Sequence, residues 1–226
     1  WCPVMAFADL AAAARSAAAS RQRSTPLREL RERTRSAPTA REVVSALRAP
    51  GRVVSVIAEV KRATATFADL SGVGDVAVLA RFYEAGGAAC VSVVTEPIRS
   101  HGRLADLDAV RGAVDVPVLA NDVVVTPYQV HEARAHGADM LVLDARLAPL
   151  VLESLIERTH SLGMTAVVEA HSRSEALSAV AAGARYVSVD ARDPDTRTID
   201  QSRFEQVAEV LPASVTRMAT GGVSGP

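Results

Sequence analysis

Cysteine is nearly absent from this chain. Of 226 residues only Cys2 and Cys90 carry a thiol, too few for a disulfide framework or a cysteine-ligated zinc site. An excess of one charge is missing as well. The 25 Lys and Arg stand against 26 Asp and Glu, a formal net charge of −1, so no bulk attraction to nucleic acid or anionic lipid is expected. No apolar run reaches the roughly 18 residues that a membrane-spanning helix needs. Aromatics make up only 4% of the chain, yet its 49% hydrophobic content is ample for a core and excludes wholesale disorder. The expectation is a reduced, cytoplasmic chain with neither nucleic acid nor membrane as a partner.

What the sequence does contain is a repeated unit. From residue 53 onward a short β-branched run is followed by a polar turn, an amphipathic helix and a Gly-Ala step. YEAGGAACVSVVTE (83–96), EARAHGADMLVLDA (132–145) and SAVAAGARYVSVDA (178–191) are the clearest copies. Gly87, Gly137 and Gly183 fall where each helix must end, a place that favours a left-handed residue with no Cβ. Thr126-Pro127-Tyr128-Gln129 and Ser172-Arg173-Ser174-Glu175 both read as capping boxes. Strands are expected at 53–60, 89–95, 116–121, 139–145, 165–170, 186–191 and 214–219. Most are near-continuously apolar, as parallel strands covered on both faces are.

Strand–helix alternation of this kind predicts successive right-handed βαβ units. No glycine-rich nucleotide fingerprint follows the first strand, so an open doubly wound sheet is the weaker reading. The expected fold is an α/β chain of the (β/α)₈ TIM-barrel family. Seven strands are evident, and the sequence reaches Pro226 directly after the seventh. The eighth βα unit is therefore expected to be missing, leaving open edges available for self-association or for a covering partner. One domain over 1–226 is expected, with a helical extension at 1–50 and the incomplete barrel at 51–226. The Ala-rich, Arg-bearing segment 5–24 could read as a transit peptide, but an amphipathic first helix is the simpler reading. Trp1–Val4 has no evident structural logic, and Met5 is a candidate start.

Several segments carry a resemblance to a known family. VIAEVKRAT (56–64), GGAACVSVVTE (86–96), PVLANDVVVTPYQVHEARAHGADML (117–141), LGMTAVVEAH (162–171) and VDARD (189–193) resemble indole-3-glycerol phosphate synthase, a (β/α)₈ enzyme of tryptophan biosynthesis. The resemblance implies decarboxylating closure of an indole ring from a carboxylated, phosphorylated anilino-deoxyribulose. It implies general acid–base catalysis without a metal or organic cofactor, and a small phosphorylated or anionic metabolite as ligand.

Inward side chains near the C-terminal strand ends form the site of such a barrel. Period-two alternation places Glu59 with Lys61, Glu169 with His171, and Asp190 with Arg192 at the mouth. The resemblance implies catalytic positions at Glu59, Lys61, Asn121 and Glu169, and substrate contacts at Asp190, Arg192, Thr64 and Gly222. The match to the family is good at Glu59, Lys61, Glu169 and Arg192. Elsewhere it fails. The family's third strand ends Arg-Lys-Asp-Phe, whereas this one ends Ala120-Asn121-Asp122-Val123. An amide stands where the general-acid lysine belongs, and an amide has no proton to give near neutral pH. Val123 and Ser100 replace two aromatics, Asp190 replaces an asparagine, and Thr220-Gly221 replaces a Glu-Ser pair. The phosphate-gripping turn after strand eight does not occur in the sequence. Loss or alteration of the family's activity is the expectation, and a repurposed barrel binding another ligand or a partner chain is the alternative.

Charge points the same way. Glu59, Asp144, Glu169 and Asp190 put four carboxylates at one mouth, against Lys61, Arg146 and Arg192. At an effective dielectric near 20, like charges roughly 4–6 Å apart cost about 3–4 kcal/mol. Asp144, Asp190 and Glu169 could hold Mg²⁺ or Mn²⁺ through oxygen, but pairing with Arg146 and Arg192 is the simpler expectation, so no metal is assigned. His101, His131, His136 and His160 read as surface residues. The mixed-sign run RELRERTR (28–35) reads as a solvated helix face. Tyr83 and Tyr128 read as packing residues on outer helices.

Overall fold

The structure is a computed structural model and describes residues 6–48, 51, 54–63, 74–193, 196 and 198–223. Its sheet has seven parallel strands in chain order: β1 (Ile57–Val60), β2 (Cys90–Val94), β3 (Val118–Asn121), β4 (Met140–Asp144), β5 (Thr165–Ala170), β6 (Tyr186–Asp190) and β7 (Thr216–Thr220). Helices α4 (Val76–Ala85), α5 (Leu104–Arg111), α6 (Pro127–Ala135), α7 (Pro149–Ser161), α8 (Arg173–Ala181) and α9 (Ser202–Ala208) connect them. Every strand pairs with its sequence neighbour, so the sheet curls in one sense as an incomplete (β/α)₈ barrel. The first strand starts at Ile57; residues 54–56 of the expected run lie outside it, and residue 53 is outside the described residues. Val54 and Val56 are exposed despite their β-branched side chains, so the apolar run overstates the strand.

Alternation along the strands separates two apolar layers. Val60, Val91, Val93, Leu141, Leu143, Val168 and Val187 face outward and pack under the helices. Cys90, Leu119, Met140, Val142 and Val167 face inward, joined by Ile57, Tyr186 and Met218. Fully burying one such aliphatic side chain stabilises by about 1.5–3 kcal/mol. Burial pushes the Cys90 thiol up to about 12, so it stays protonated and inert.

The glycines end their helices as expected: Gly87, Gly137 and Gly183 have φ of 90°, 88° and 92°. At Gly137 a side chain would also run into Arg111.

Three helices precede the barrel: α1 (Phe7–Ser24), α2 (Leu27–Ser36) and α3 (Val43–Leu47). Glu42 caps α3 by accepting from the amides of Val44 and Ser45. Val43 and Leu47 then seal the inner layer from the N-terminal end of the strands. Helices α1 and α2 clasp α6, packing Ala18 and Leu30 on Tyr128. The Arg21 guanidinium grips both oxygens of Glu132 at 2.7 and 2.8 Å. Tyr128 Oη donates to the Thr25 carbonyl at 3.0 Å. This clasp corrects one expectation: His131 is buried, not on the surface. On α2, the Arg33–Glu29 and Arg28–Glu32 pairs lie along exposed helix surface, as a solvated face should.

Asp139 at the foot of β4 is completely buried. It accepts from the amides of Arg41 and Val118 and pairs with Arg111 Nη1 at 2.6 Å. The lead-in to α3 is thereby tied to the base of the barrel.

Candidate active site

The inward positions above the apolar layer turn polar at the C-terminal strand ends. There the structure gathers Glu59, Lys61, Asn121, Asp144, Glu169, His171 and Asp190. Lys61 Nζ lies 3.6 Å from Glu59 Oε1. Asn121 Nδ2 donates to Glu59 Oε2 at 3.1 Å, and Ser92 Oγ lies 3.5 Å from the same oxygen. The Glu59–Lys61 pair of the sequence reading exists, and Asn121 leans on it.

Asp144 and Arg146 close a fork of their own. Arg146 Nε and Nη2 donate to the two Asp144 oxygens at 2.9 and 2.5 Å, and the Arg146 amide donates at 2.8 Å. The guanidinium also stacks on the Phe7 ring, 4.3 Å from its centroid, so the start of α1 lies against the mouth. The expected inter-strand pairing of Asp144, Glu169 and Asp190 with Arg146 and Arg192 does not form: Arg146 closes on Asp144 two residues away, and among the described residues Arg192 pairs with neither Glu169 nor Asp190. Asp190 Oδ1 instead accepts the Arg192 amide at 2.8 Å. A Cβ at Gly221 would overlap that same oxygen, so the carboxylate at 190 is accommodated by the glycine at 221.

What remains is a pair of carboxylates around one imidazole. His171 Nε2 lies 3.8 Å from Glu169 Oε1 and 4.0 Å from Asp190 Oδ2. His171 Nδ1 faces Glu175 Oε2 at 3.3 Å, and that oxygen also accepts the His171 amide at 2.8 Å. Glu175 therefore reaches one residue further back than a capping box requires, while Ser172 Oγ accepts the Glu175 amide. The missed role of Glu175 had one signal in the sequence, its position four residues after His171 on a helix start.

Burial pushes the Glu169 carboxyl up to about 7, and the negative charge of Asp190 adds to the rise. Desolvation pulls the His171 imidazole down, but the Glu175 hydrogen bond and the Glu169 charge outweigh it and the net direction is up. A carboxyl that titrates near neutrality is suited to moving protons in either direction.

The remaining site candidates are placed less tightly. Thr64 lies outside the described residues. Gly222 sits on the turn after β7 with φ of 76°, and a Cβ there would overlap Ile199. Ser100 is buried in a loop held by Glu96, whose carboxylate accepts the amides of Ile98, Arg99 and Ser100. A cavity of about 240 Å³ lies away from the mouth, beside Arg21, Tyr128, Glu132 and His136. Arg21 is paired with Glu132 there and His136 with Asp108. No described helix is long and apolar enough to cross a membrane.

Chain-ordered parallel strands, outer helices and charged groups at the C-terminal strand ends define a TIM-barrel-class α/β protein. Two solved structures share this fold at low identity. They are an N-acetylmannosamine-6-phosphate 2-epimerase from Clostridium perfringens (TM-score 0.55, 18% identity, 66% of this chain and 69% of that one) and a thiamine phosphate pyrophosphorylase from Pyrococcus furiosus (TM-score 0.51, 21% identity, 66% and 69%). Sequence relatives narrow the class. The family model "Indole-3-glycerol phosphate synthase" matches residues 8–226, and the chain belongs to that family. Indole-3-glycerol phosphate synthase of Mycobacterium sp. strain KMS is 52% identical over 213 residues, covering 94% of this chain and 78% of the relative. The Beutenbergia cavernae enzyme of the same name is 50% identical over 219 residues, covering 96% and 81%.

Proposed function

We propose that this chain is a member of the family in which decarboxylating ring closure has been lost, leaving a repurposed barrel mouth. The observation that carries the reading is the position of Asn121. Its amide occupies the end of β3, where the family pattern implies a lysine, and donates to Glu59. An amide can hold a substrate carbonyl but cannot protonate it, and a positioned general acid contributes about 10²–10⁴-fold in rate. Glu59, Lys61 and Glu169 would still serve as working groups, with Glu169 able to accept or return a proton near neutral pH. Asp144 and Asp190 add negative charge at a mouth that must otherwise receive a carboxylated and phosphorylated ligand. Arg146 is committed to Asp144.

The test is the fluorescence of indoleglycerol phosphate formed from the carboxyphenylamino-deoxyribulose phosphate substrate. Purified protein is expected to give none. Turnover that disappears in Glu169→Gln would overturn the proposal, because it would show the old chemistry running without the lysine.

A further inference from the structure

We propose that Glu169, His171 and Asp190 form a binding site for a divalent transition-metal ion such as Zn²⁺ at the barrel mouth. The site takes one imidazole nitrogen and two carboxylate oxygens, and it stands whether or not ring closure survives. Three independent features support it.

The first is spacing. One ligand atom from each residue lies within 4.8 Å of the other two. His171 Nε2 is 3.8 and 4.0 Å from the carboxylates, too far for hydrogen bonds. Donors bound to tetrahedral zinc at about 2.1 Å lie about 3.4 Å apart. The histidine separations would close by about 0.4–0.6 Å and the carboxylate pair by up to about 1.4 Å, movements that side-chain rotation of Glu169 and Asp190 would supply.

The second is orientation. The His171 side chain is only 6% exposed, and its Nδ1 is held by Glu175. A carboxylate on one ring nitrogen fixes the tautomer and aims the other nitrogen's lone pair, the arrangement that supports metal-bound histidines. Here Nε2 points at Glu169 and Asp190, and binding an ion would displace its proton. Asp190 is anchored in turn, its Oδ1 held by the Arg192 amide while Oδ2 faces the imidazole.

The third is charge. Among the described residues no Lys or Arg forms an ion pair with Glu169 or Asp190. Arg146 is taken up by both oxygens of Asp144. That engagement removes Asp144 from the oxygen trio of the sequence reading and leaves the imidazole in its place. The nitrogen ligand changes the preferred ion, because Mg²⁺ and Ca²⁺ favour all-oxygen sites whereas imidazole suits zinc and its neighbours.

The experiment is calorimetric titration of the metal-free full chain with ZnCl₂, run beside MgCl₂, with Co²⁺ absorption as an optical report on nitrogen ligation. One saturable zinc equivalent is expected, with Mg²⁺ much weaker. Asp190→Asn and His171→Gln each weaken zinc by at least about tenfold, and Glu175→Gln, which keeps all three ligands, weakens it by about 10–100-fold. His160→Gln, at an exposed position of α7, leaves the affinity unchanged. Thermal melts of the metal-free variants establish that each is folded before titration. Any of three results overturns the site: no saturable zinc equivalent, undiminished binding in Asp190→Asn, or Mg²⁺ binding as tightly as Zn²⁺. None of them bears on the fluorescence assay for ring closure, so the two proposals fail separately.

Discussion

Replacing Glu169 by glutamine gives a stability change whose pH dependence is set by the geometry of the mouth. The carboxyl rises from an ordinary 4.5 to about 7 in the folded chain, through burial first and the Asp190 charge second. The folded state therefore holds this proton more tightly than the unfolded state does. Below about pH 4.5 the group is protonated in both states and its favourable contribution is fully present. As pH climbs through 7 that contribution is lost, because the folded protein must then carry a second buried anion. The rise from 4.5 to about 7 corresponds to a ceiling of about 3 kcal/mol. A quarter of the Glu169 side chain is exposed, so solvent screening brings the measured value below the ceiling. Glutamine keeps the shape and removes the titration. In a chelating buffer, Glu169→Gln and the parent should unfold together near pH 4. By pH 9 the variant should be more stable, with a melting temperature higher by at most about 6–12 °C for a chain of this size. Asp190→Asn should give a smaller gain over the same pH range, since it removes only the second cause. A difference between Glu169→Gln and parent that is flat from pH 4 to 9, or a parent more stable at pH 9, would refute the reasoning.

Other outcomes follow from single contacts. Asp139→Ala leaves Arg111 buried without its partner and two amides without an acceptor, and should cost about 3–5 kcal/mol in chemical denaturation. Gly222→Ala forces a side chain onto φ of 76° against Ile199, which should cost about 1–3 kcal/mol in the same assay. Asn121→Lys should not restore indoleglycerol phosphate fluorescence, because Asp144, Asp190 and Thr220 remain as they are at the mouth.

The barrel was readable from the sequence because its signals are local. Continuous apolar runs marked the strands, and Gly87, Gly137 and Gly183 marked the turns into them. Alternation also placed Glu59, Lys61, Glu169 and His171 on the inward face. Where reading failed, the deciding partner lay far along the chain. His131 looks solvent-facing on α6 until α1 and α2, about a hundred residues earlier, cover that side. Arg192 was expected to pair with a carboxylate across strands, yet only its backbone amide meets one, donating to Asp190 Oδ1. Asp144 and Glu169 are direct register partners across β4 and β5, but the local Arg146 fork claims one of them. Val54 and Val56 carry strand-forming side chains without a described strand, since β propensity expresses packing and little packs on them.

The clasp around α6 makes the leading helices more than an appendage. Glu132 is a buried carboxylate on the barrel's flank whose charge is answered by Arg21, 111 residues earlier. Cutting the chain after α2 would remove Arg21 from Glu132, take the Thr25 acceptor from Tyr128 and uncover the apolar contact that Ala18 and Leu30 make with Tyr128. The barrel and its preamble should therefore melt as one cooperative body, and removing the first forty residues should lower its stability.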